Sequence, residues 1–284
     1  MGSNQRKVAR PCAGCRKGEQ LSKSRVGDPR AVPHEPARDG LPPLSVGHLS
    51  GSDWKTLLSS DRVCHAALEG DRSRWVEGPI TDASVLIALT RRGGLLLTER
   101  SAAMRHHAGQ VALPGGRIEP TDRDGFEAAF REAHEEIGLE RYRLCPLGSL
   151  PSYLTGSGYR VQPVVALVKE ELDLHRDLQP DPNEVASIFE VPLSFIFDPS
   201  NHRRHYWHAP EGLRPFYSMP WICDRSDAMR FSDGAAPTSV CQHALSVSQH
   251  ALSREFFIWG ATAAMLRNFY HLLYAHRDLF PIEA

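Results

Sequence analysis

The stretch from Pro114 to Leu139, PGGRIEPTDRDGFEAAFREAHEEIGL, constrains the fold and the chemistry of this chain more than any other. Two glycines open it, a loop follows, and the remainder predicts a helix that ends at Gly138, where a glycine C-terminal cap fits. The apolar residues of this helix recur at helical spacing on one side: Phe126, Ala129, Phe130, Ala133 and Ile137. Such a stripe can pack against a sheet and leaves the opposite side to polar residues.

Three glutamates of this helix, Glu132, Glu135 and Glu136, stand at positions i, i+3 and i+4, so we expect them to lie together on its polar side. Like charges at this spacing repel one another and become favourable when a hard divalent cation neutralises them. Mg²⁺ and Mn²⁺ prefer oxygen ligands and keep coordination positions for substrate phosphates. Arg131 can reach Glu135 and orient it, and the preceding glycines allow the backbone to approach a ligand closely. The pattern favours a metal site over a solvated acidic face.

The composition excludes several other classes of function. The chain of 284 residues has 33 Lys and Arg against 34 Asp and Glu, a formal net charge of -1 that gives no general footprint for nucleic acid. Neither an apolar run long enough to span a membrane nor a secretory leader is present, so we expect a cytoplasmic protein with reduced cysteines. The pair Cys12 and Cys15 lacks the further ligands that a zinc site needs, and its role stays open.

The chain divides into an extension and a domain. Residues 1–75 predict an N-terminal extension, largely disordered at 1–45, because this segment has few large apolar residues to offset the entropy of ordering. Residues 76–284 predict one domain. A polar segment without periodicity at about 222–253 predicts a flexible insert within it.

Short apolar runs within the domain predict strands and helices in mixed order. A hairpin is expected from residues 83–90 and 93–100, which flank a turn that contains glycine. Further elements are predicted as strands at 159–170, 184–191 and 254–259, a short helix from Pro192, and an amphipathic helix at 261–277. Because the elements do not alternate regularly, we predict an α+β fold, an α/β/α sandwich with a mixed sheet.

The segment from Gly116 to Leu139 resembles the Nudix box, the signature of hydrolases that cleave nucleoside diphosphates linked to another moiety. The matching residues are Gly116, Arg131, Glu132, Glu135, Glu136, Gly138 and Leu139. Asp122 departs from the generic box, which has its first Glu there, and one extra residue separates it from Arg131.

The preceding stretch, LLLTERSAAMRHHAGQVALPGGRIEPTD, resembles the second motif of the coenzyme A pyrophosphatase branch, LLTxRSxxxxxHxGQVxxPGGxxDxxD. That branch also carries the additional residue in its box. Glu119 replaces an Asp of the motif, and the segments GYRVQPVVALV and FIWGATAAMLRNF resemble further parts of the branch. The similarity covers roughly residues 76–221 and 254–275.

The resemblance implies a Nudix-type fold, a Mg²⁺ or Mn²⁺ cofactor, and hydrolysis of the diphosphate of coenzyme A or acyl-CoA to 3′,5′-ADP and (acyl-)4′-phosphopantetheine. The implied roles are metal binding by Glu132, Glu136, Glu135 and the backbone of Gly116, catalysis by Glu135, Arg131 and Glu132, and substrate binding by Arg100, Ser101, His107, Gln110 and Gly115.

Two alternatives stay open. A Nudix hydrolase of this kind can act on another diphosphate, such as NADH, ADP-ribose or a nucleoside triphosphate. A non-catalytic module can use the same fold to bind a nucleotide, since fold alone does not establish activity. We expect a small-molecule ligand in each case, with no nucleic acid and no membrane, and both a monomer and a homodimer stay open.

Overall fold

The computed structural model describes residues 26–37, 40–46, 49–59, 79–209, 212–223, 229–231 and 253–279. The cysteine pair at 12 and 15 and most of the predicted insert at 222–253 lie outside these residues, as does the larger part of the segment 1–45 for which disorder is predicted.

Within the described residues, two β-sheets form the frame of the domain. In chain order the strands are β1 (His34–Pro36), β2 (Thr81–Leu89), β3 (Gly94–Arg100), β4 (Val111–Ala112), β5 (Gly115–Arg117), β6 (Leu144–Ser149), β7 (Tyr153–Leu154), β8 (Tyr159–Val168), β9 (Val185–Pro192), β10 (Arg203–Ala209), β11 (Gly212–Cys223), β12 (Met229–Phe231) and β13 (Arg254–Trp259). The larger sheet has nine strands in the order β12-β9-β3-β2-β8-β6, with β4 beside β3, β5 beside β2 and β7 beside β8. It is a mixed sheet, because β2 and β8 run parallel while β3 pairs with β9 in antiparallel orientation. The strands β1, β10, β11 and β13 form a second, antiparallel sheet.

Helices cover both faces of the larger sheet. In the part of the chain that the structure describes, the α-helices are α1 (Gly51–Ser59), α2 (Gly125–Ile137), α3 (Leu193–Ile196) and α4 (Gly260–Ala275). On one face, Ala133 and Ile137 of α2 share a core with Leu86 of β2. On the other face, Ile87 of β2 shares a core with residues of α1, α4 and the second sheet. The predicted α/β/α arrangement around a mixed sheet is therefore confirmed.

Most elements of the domain follow the sequence pattern. The predicted hairpin forms from β2 and β3, which pair in antiparallel orientation at Leu89 and Leu95. The strand predicted at 159–170 is β8, the strand predicted at 254–259 is β13, and the amphipathic helix is α4. Part of the predicted insert is ordered, since β12 pairs with β9.

None of the helices within the described ranges combines the length and apolar character needed to cross a membrane.

Part of the predicted N-terminal extension packs within the domain. Strand β1 pairs with β10, and Leu44 and Val46 are buried in the core that contains α4. The ring of Trp54 in α1 lies 5.7 Å from the ring of Phe269 in α4, measured between centroids. The folded unit thus includes residues well before the boundary expected at 76. Trp54, Leu57 and Leu58 of α1 are buried at positions i, i+3 and i+4, the spacing by which a helix packs one side against a core.

Candidate active site

The helix α2 is held at both ends by caps that the sequence supplies. The side chain of Asp124 accepts a hydrogen bond from the amide of Glu127 at 2.9 Å, which satisfies a donor of the first turn. Gly138 adopts the left-handed conformation with φ of 67°, and its amide donates to the carbonyl of His134 at 2.9 Å. The predicted C-terminal cap is confirmed. With its apolar side buried against the larger sheet, α2 is a fixed support for its glutamates.

The three glutamates of α2 occupy different environments on the polar side of the helix. The side chain of Glu136 is 4% exposed, that of Glu132 is 17% exposed, and that of Glu135 is 56% exposed. Successive residues of a helix are rotated by about 100°. Glu136 therefore turns towards the sheet, whereas its neighbour Glu135 turns towards solvent.

Strand β5 lies directly against the two inward glutamates because it begins with glycines. The amide of Gly115 donates a hydrogen bond to Oε2 of Glu136 at 3.2 Å. A Cβ atom added at Gly116 would collide with the carboxylate of Glu132. A Cβ atom at Gly115, where φ is 153°, would collide with the backbone of Ser84 in β2. Position 115 therefore requires glycine, and a larger residue at 116 would displace the Glu132 carboxylate, which explains the PGG turn that the sequence pattern associates with ligand approach.

Arg131 organises the polar side of α2. Its guanidinium donates to both carboxylate oxygens of Asp122, at 3.1 and 2.9 Å, and to the carbonyl of Arg117 at 3.1 Å. It also donates to Glu132 at 2.9 Å and to Glu135 at 3.1 Å. The hydrogen bond from Arg131 lowers the pKa of Asp122, whose side chain is only 3% exposed. Asp122, which departs from the generic box, thus anchors the arginine that orients the glutamates.

The loop after β3 brings several predicted substrate-binding residues together. The amide of Arg100 donates to the carbonyl of Gln110 at 2.9 Å, and the amide of Gly109 donates to the carbonyl of Arg100 at 3.0 Å. Nδ1 of His107 lies 2.8 Å from Oε1 of Gln110, and His107 has a positive φ of 59°. Ser101 is buried.

An ion pair joins this loop to the glutamates of α2. Nη1 of Arg100 lies 3.5 Å from Oε1 of Glu136. The two segments that the sequence resemblance singles out, the loop and the box, are therefore in direct contact. His107 and Gln110 interact with each other in an exposed part of the loop.

Burial makes the inward carboxylates hard to ionise. Desolvation raises the pKa of Glu136 to about 8, against the opposing effects of Arg100 and the Gly115 amide. Desolvation also raises the pKa of Glu132, against the opposing hydrogen bond from Arg131. The charge of Glu184 acts in the same direction as burial on both groups. The site therefore concentrates more negative charge than its two arginines balance, an environment in which a further cation is favourable.

Comparison with known proteins identifies the family. A family model described as the NUDIX domain matches residues 80–211. An uncharacterized Nudix hydrolase NudL of Enterobacter sp. is 45% identical over 187 residues, which cover 65% of this chain and 79% of that protein. The NudL of Citrobacter koseri is also 45% identical, over 188 residues with the same coverage. This chain belongs to the Nudix hydrolases. The resemblance expected from the box is thereby confirmed.

Solved structures of Nudix proteins are less similar to this chain than the NudL sequences are. The MutT protein of Methanosarcina mazei Go1 is 25% identical with a TM-score of 0.34, covering 43% of this chain and 83% of that one. An Ap4A hydrolase of C. elegans is 21% identical with a TM-score of 0.32, covering 40% and 80%. Nudix hydrolases act on small molecules and generally use divalent metal ions.

The ligand atoms that this Nudix site offers are of the type that a divalent metal ion prefers. Glu132 and Glu136 offer carboxylate oxygens beside the backbone of Gly115 and Gly116, and oxygen is the donor that Mg²⁺ and Mn²⁺ prefer. Across the described ranges, no group of three or more His, Cys, Asp or Glu side chains is gathered as a complete metal cluster. Arginine contacts hold Glu132, Glu135 and Glu136 in their present positions.

Glu184 is a site residue that the sequence pattern did not indicate. It lies immediately before β9, and its carbonyl accepts a hydrogen bond from the amide of Ser101 at 2.7 Å. Its charge raises the pKa of both Glu132 and Glu136, so its carboxylate lies within electrostatic range of both groups. No local motif marks this position, because the fold brings it to the box from a distant part of the chain.

A cavity of about 410 Å³ lies on the outer side of α2 and is distinct from the inward glutamates. Its lining residues are Thr121, Asp122, Glu127, Phe130, Arg131, His134, Glu140 and Arg141. It meets the Nudix site through Asp122 and Arg131, and it includes neither Glu132 nor Glu136. Unlike this cavity, the buried carboxylates combine burial, crowded negative charge and the glycine turn.

Proposed function

We propose that this Nudix hydrolase cleaves the diphosphate of coenzyme A or acyl-CoA in a metal-dependent reaction. The products are 3′,5′-ADP and 4′-phosphopantetheine, or its acylated form. The observation that carries the proposal is the ion pair between Arg100 and Glu136. It joins the loop that resembles the coenzyme A pyrophosphatase motif to the acidic part of the Nudix box, so that one substrate can contact both.

The inward carboxylates are the basis of the proposed metal site. Glu132 and Glu136 would hold Mg²⁺ or Mn²⁺, with the backbone of Gly116 and the carboxylate of Glu135 as further ligands. When bound, such an ion neutralises phosphate charge and lowers the pKa of a coordinated water. Arg131 keeps Glu132 and Glu135 in place through its hydrogen bonds.

The residues of the chain supply positioning and proton transfer. Phosphoryl transfer depends mostly on positioning and on electrostatic stabilisation of the phosphate oxygens. Arg100 supplies a positive charge for the diphosphate, and Ser101, His107, Gln110 and Gly115 shape the substrate pocket. A general base must lie within hydrogen-bond reach of the attacking water. Two carboxylates are candidates: Glu135, which is exposed beside Arg131, and Glu184, whose charge acts on both inward glutamates.

A substrate panel tests this proposal. Coenzyme A, acetyl-CoA, NADH and ADP-ribose are incubated in parallel with enzyme and Mg²⁺ or Mn²⁺, and the products are separated by HPLC. We expect release of 3′,5′-ADP from coenzyme A or acetyl-CoA to be faster than cleavage of the other compounds. Preferential cleavage of NADH or ADP-ribose would keep the hydrolase and replace the substrate. Binding of nucleotides without turnover would support the non-catalytic module instead.

A further inference from the structure

The two arginines at the Nudix site are held with very different strength. Arg131 donates hydrogen bonds to three carboxylates and to the carbonyl of Arg117. Arg100 makes one ion pair, to Glu136 at 3.5 Å, a distance longer than that of a good charged hydrogen bond. Its buried Nε has no hydrogen-bond acceptor among the described residues. The guanidinium of Arg100 is therefore the more readily displaced of the two.

The backbone of Arg100 is fixed although its guanidinium is loosely held. Its amide and carbonyl are both bonded to the loop, through Gln110 and Gly109. The pairing of β3 with β9 shifts register between Glu99 and Arg100, which marks a local irregularity at this residue. A change of side-chain rotamer can therefore move the guanidinium while the residue stays at the same place beside the site.

We propose that Arg100 is an exchangeable counter-ion, which occupies Glu136 when no metal is bound and is released by the metal to bind the substrate diphosphate. This inference rests on the proposed function, in which Glu136 is a metal ligand. A divalent cation at Glu136 neutralises the carboxylate and repels the guanidinium, so both effects favour its release. The buried Nε then gains an acceptor when a phosphate arrives. Metal binding thus precedes productive substrate binding. Arg100 weakens the binding of the metal ion and strengthens the binding of the substrate diphosphate.

The variant Arg100→Met tests this exchange, because Met retains much of the length of the side chain and removes the charge. Mn²⁺ binding to the metal-free protein is measured from the electron paramagnetic resonance signal of free Mn²⁺. We expect R100M to bind Mn²⁺ about fivefold more tightly than wild type, the effect of removing a competing ion pair. The Mn²⁺-loaded variant is expected to bind imidodiphosphate about tenfold more weakly, since a charge-assisted contact to phosphate is lost.

Two further variants serve as controls. Arg92→Met removes an arginine that pairs with Glu171 at 2.8 Å, elsewhere on the molecule, and it should leave both affinities within about twofold of wild type. Arg100→Lys keeps the positive charge and should leave Mn²⁺ affinity within about twofold. Arg100→Gln, which also removes the charge, carries the same expectations as R100M and serves as the test where R100M does not fold.

The outcomes separate this inference from the proposed function. Unchanged or weaker Mn²⁺ binding by folded R100M would overturn the exchange while leaving the metal site in place. Equal tightening in R100K would also overturn it, because competition by charge would then not be the cause. Absence of Mn²⁺ binding by the wild type would overturn the proposed metal site itself, and the exchange with it.

Discussion

Replacing Glu136 with Gln is expected to remove a large pH dependence from the stability of the metal-free protein. Burial raises the pKa of Glu136 from 4.5 to about 8 in the folded chain. A carboxyl with a higher pKa when folded binds more protons in that state, so the free energy of unfolding falls as pH rises through this interval. At about 1.4 kcal/mol for each pH unit, the whole interval from 4.5 to about 8 corresponds to about 5 kcal/mol.

Between about pH 5.5 and about pH 8.5, the loss attributable to Glu136 is about 3 kcal/mol. Urea unfolding in the presence of EDTA, followed by tryptophan fluorescence at both pH values, measures this difference. Glu136→Gln is neutral at both, and its carbonyl oxygen can still accept the bond from the Gly115 amide. We therefore expect its unfolding free energy to fall by about 3 kcal/mol less than that of wild type over this range.

The matched control is Glu135→Gln, an identical chemical change at a residue that is 56% exposed. Its unfolding free energy should follow the pH dependence of wild type. Added Mg²⁺ should stabilise wild type at the alkaline pH, because a ligand that binds only the folded state shifts the equilibrium towards it, and should stabilise Glu136→Gln less. Parallel pH dependences for wild type and Glu136→Gln would refute the assignment of a buried carboxyl with a raised pKa to this position.

Three further variants test the supports of the site. Arg131→Lys should lower the unfolding free energy in urea by roughly 2–4 kcal/mol, because the almost fully buried Asp122 loses its bidentate partner, and a loss below about 1 kcal/mol would contradict this. Gly116→Ala should reduce kcat by roughly 100-fold, because its Cβ displaces the Glu132 carboxylate, and an unchanged kcat would show that this close contact is not required. Glu184→Gln should reduce kcat by about 100-fold or more if it is the general base, whereas a rate within about twofold of wild type would exclude it from that role.

The local features of the site could be predicted because they depend on near neighbours in the sequence. Helical spacing predicts the cap at Gly138 and the buried stripe of α2, and backbone freedom predicts the close approach of the chain at Gly116. The same spacing does not show how deeply each glutamate is buried. Positions i, i+3 and i+4 share a side of the helix, but Glu135 and Glu136 are still rotated by about 100° from each other, and the sheet lies closer to Glu136.

Features that depend on distant contacts left no local signal. Glu184 reaches the site because β9 pairs with β3, which aligns Val185 with Arg100. Strand β1 is three exposed residues long and is defined only by its pairing with β10. The fold class was accessible from the order of elements, whereas the position of Glu184 and the pairing of β1 required the tertiary arrangement.

The dependence of coenzyme A hydrolysis on metal and on Glu132 tests the central claim most directly. The initial rate of 3′,5′-ADP release is measured over a range of Mg²⁺ concentrations for wild type and for the isosteric variant Glu132→Gln, with circular dichroism to verify folding. We predict no turnover without metal, a saturable increase with Mg²⁺ in wild type, and a rate at least about 100-fold lower in the folded variant. Turnover that is independent of metal, or a folded Glu132→Gln variant with nearly full activity, would contradict the account.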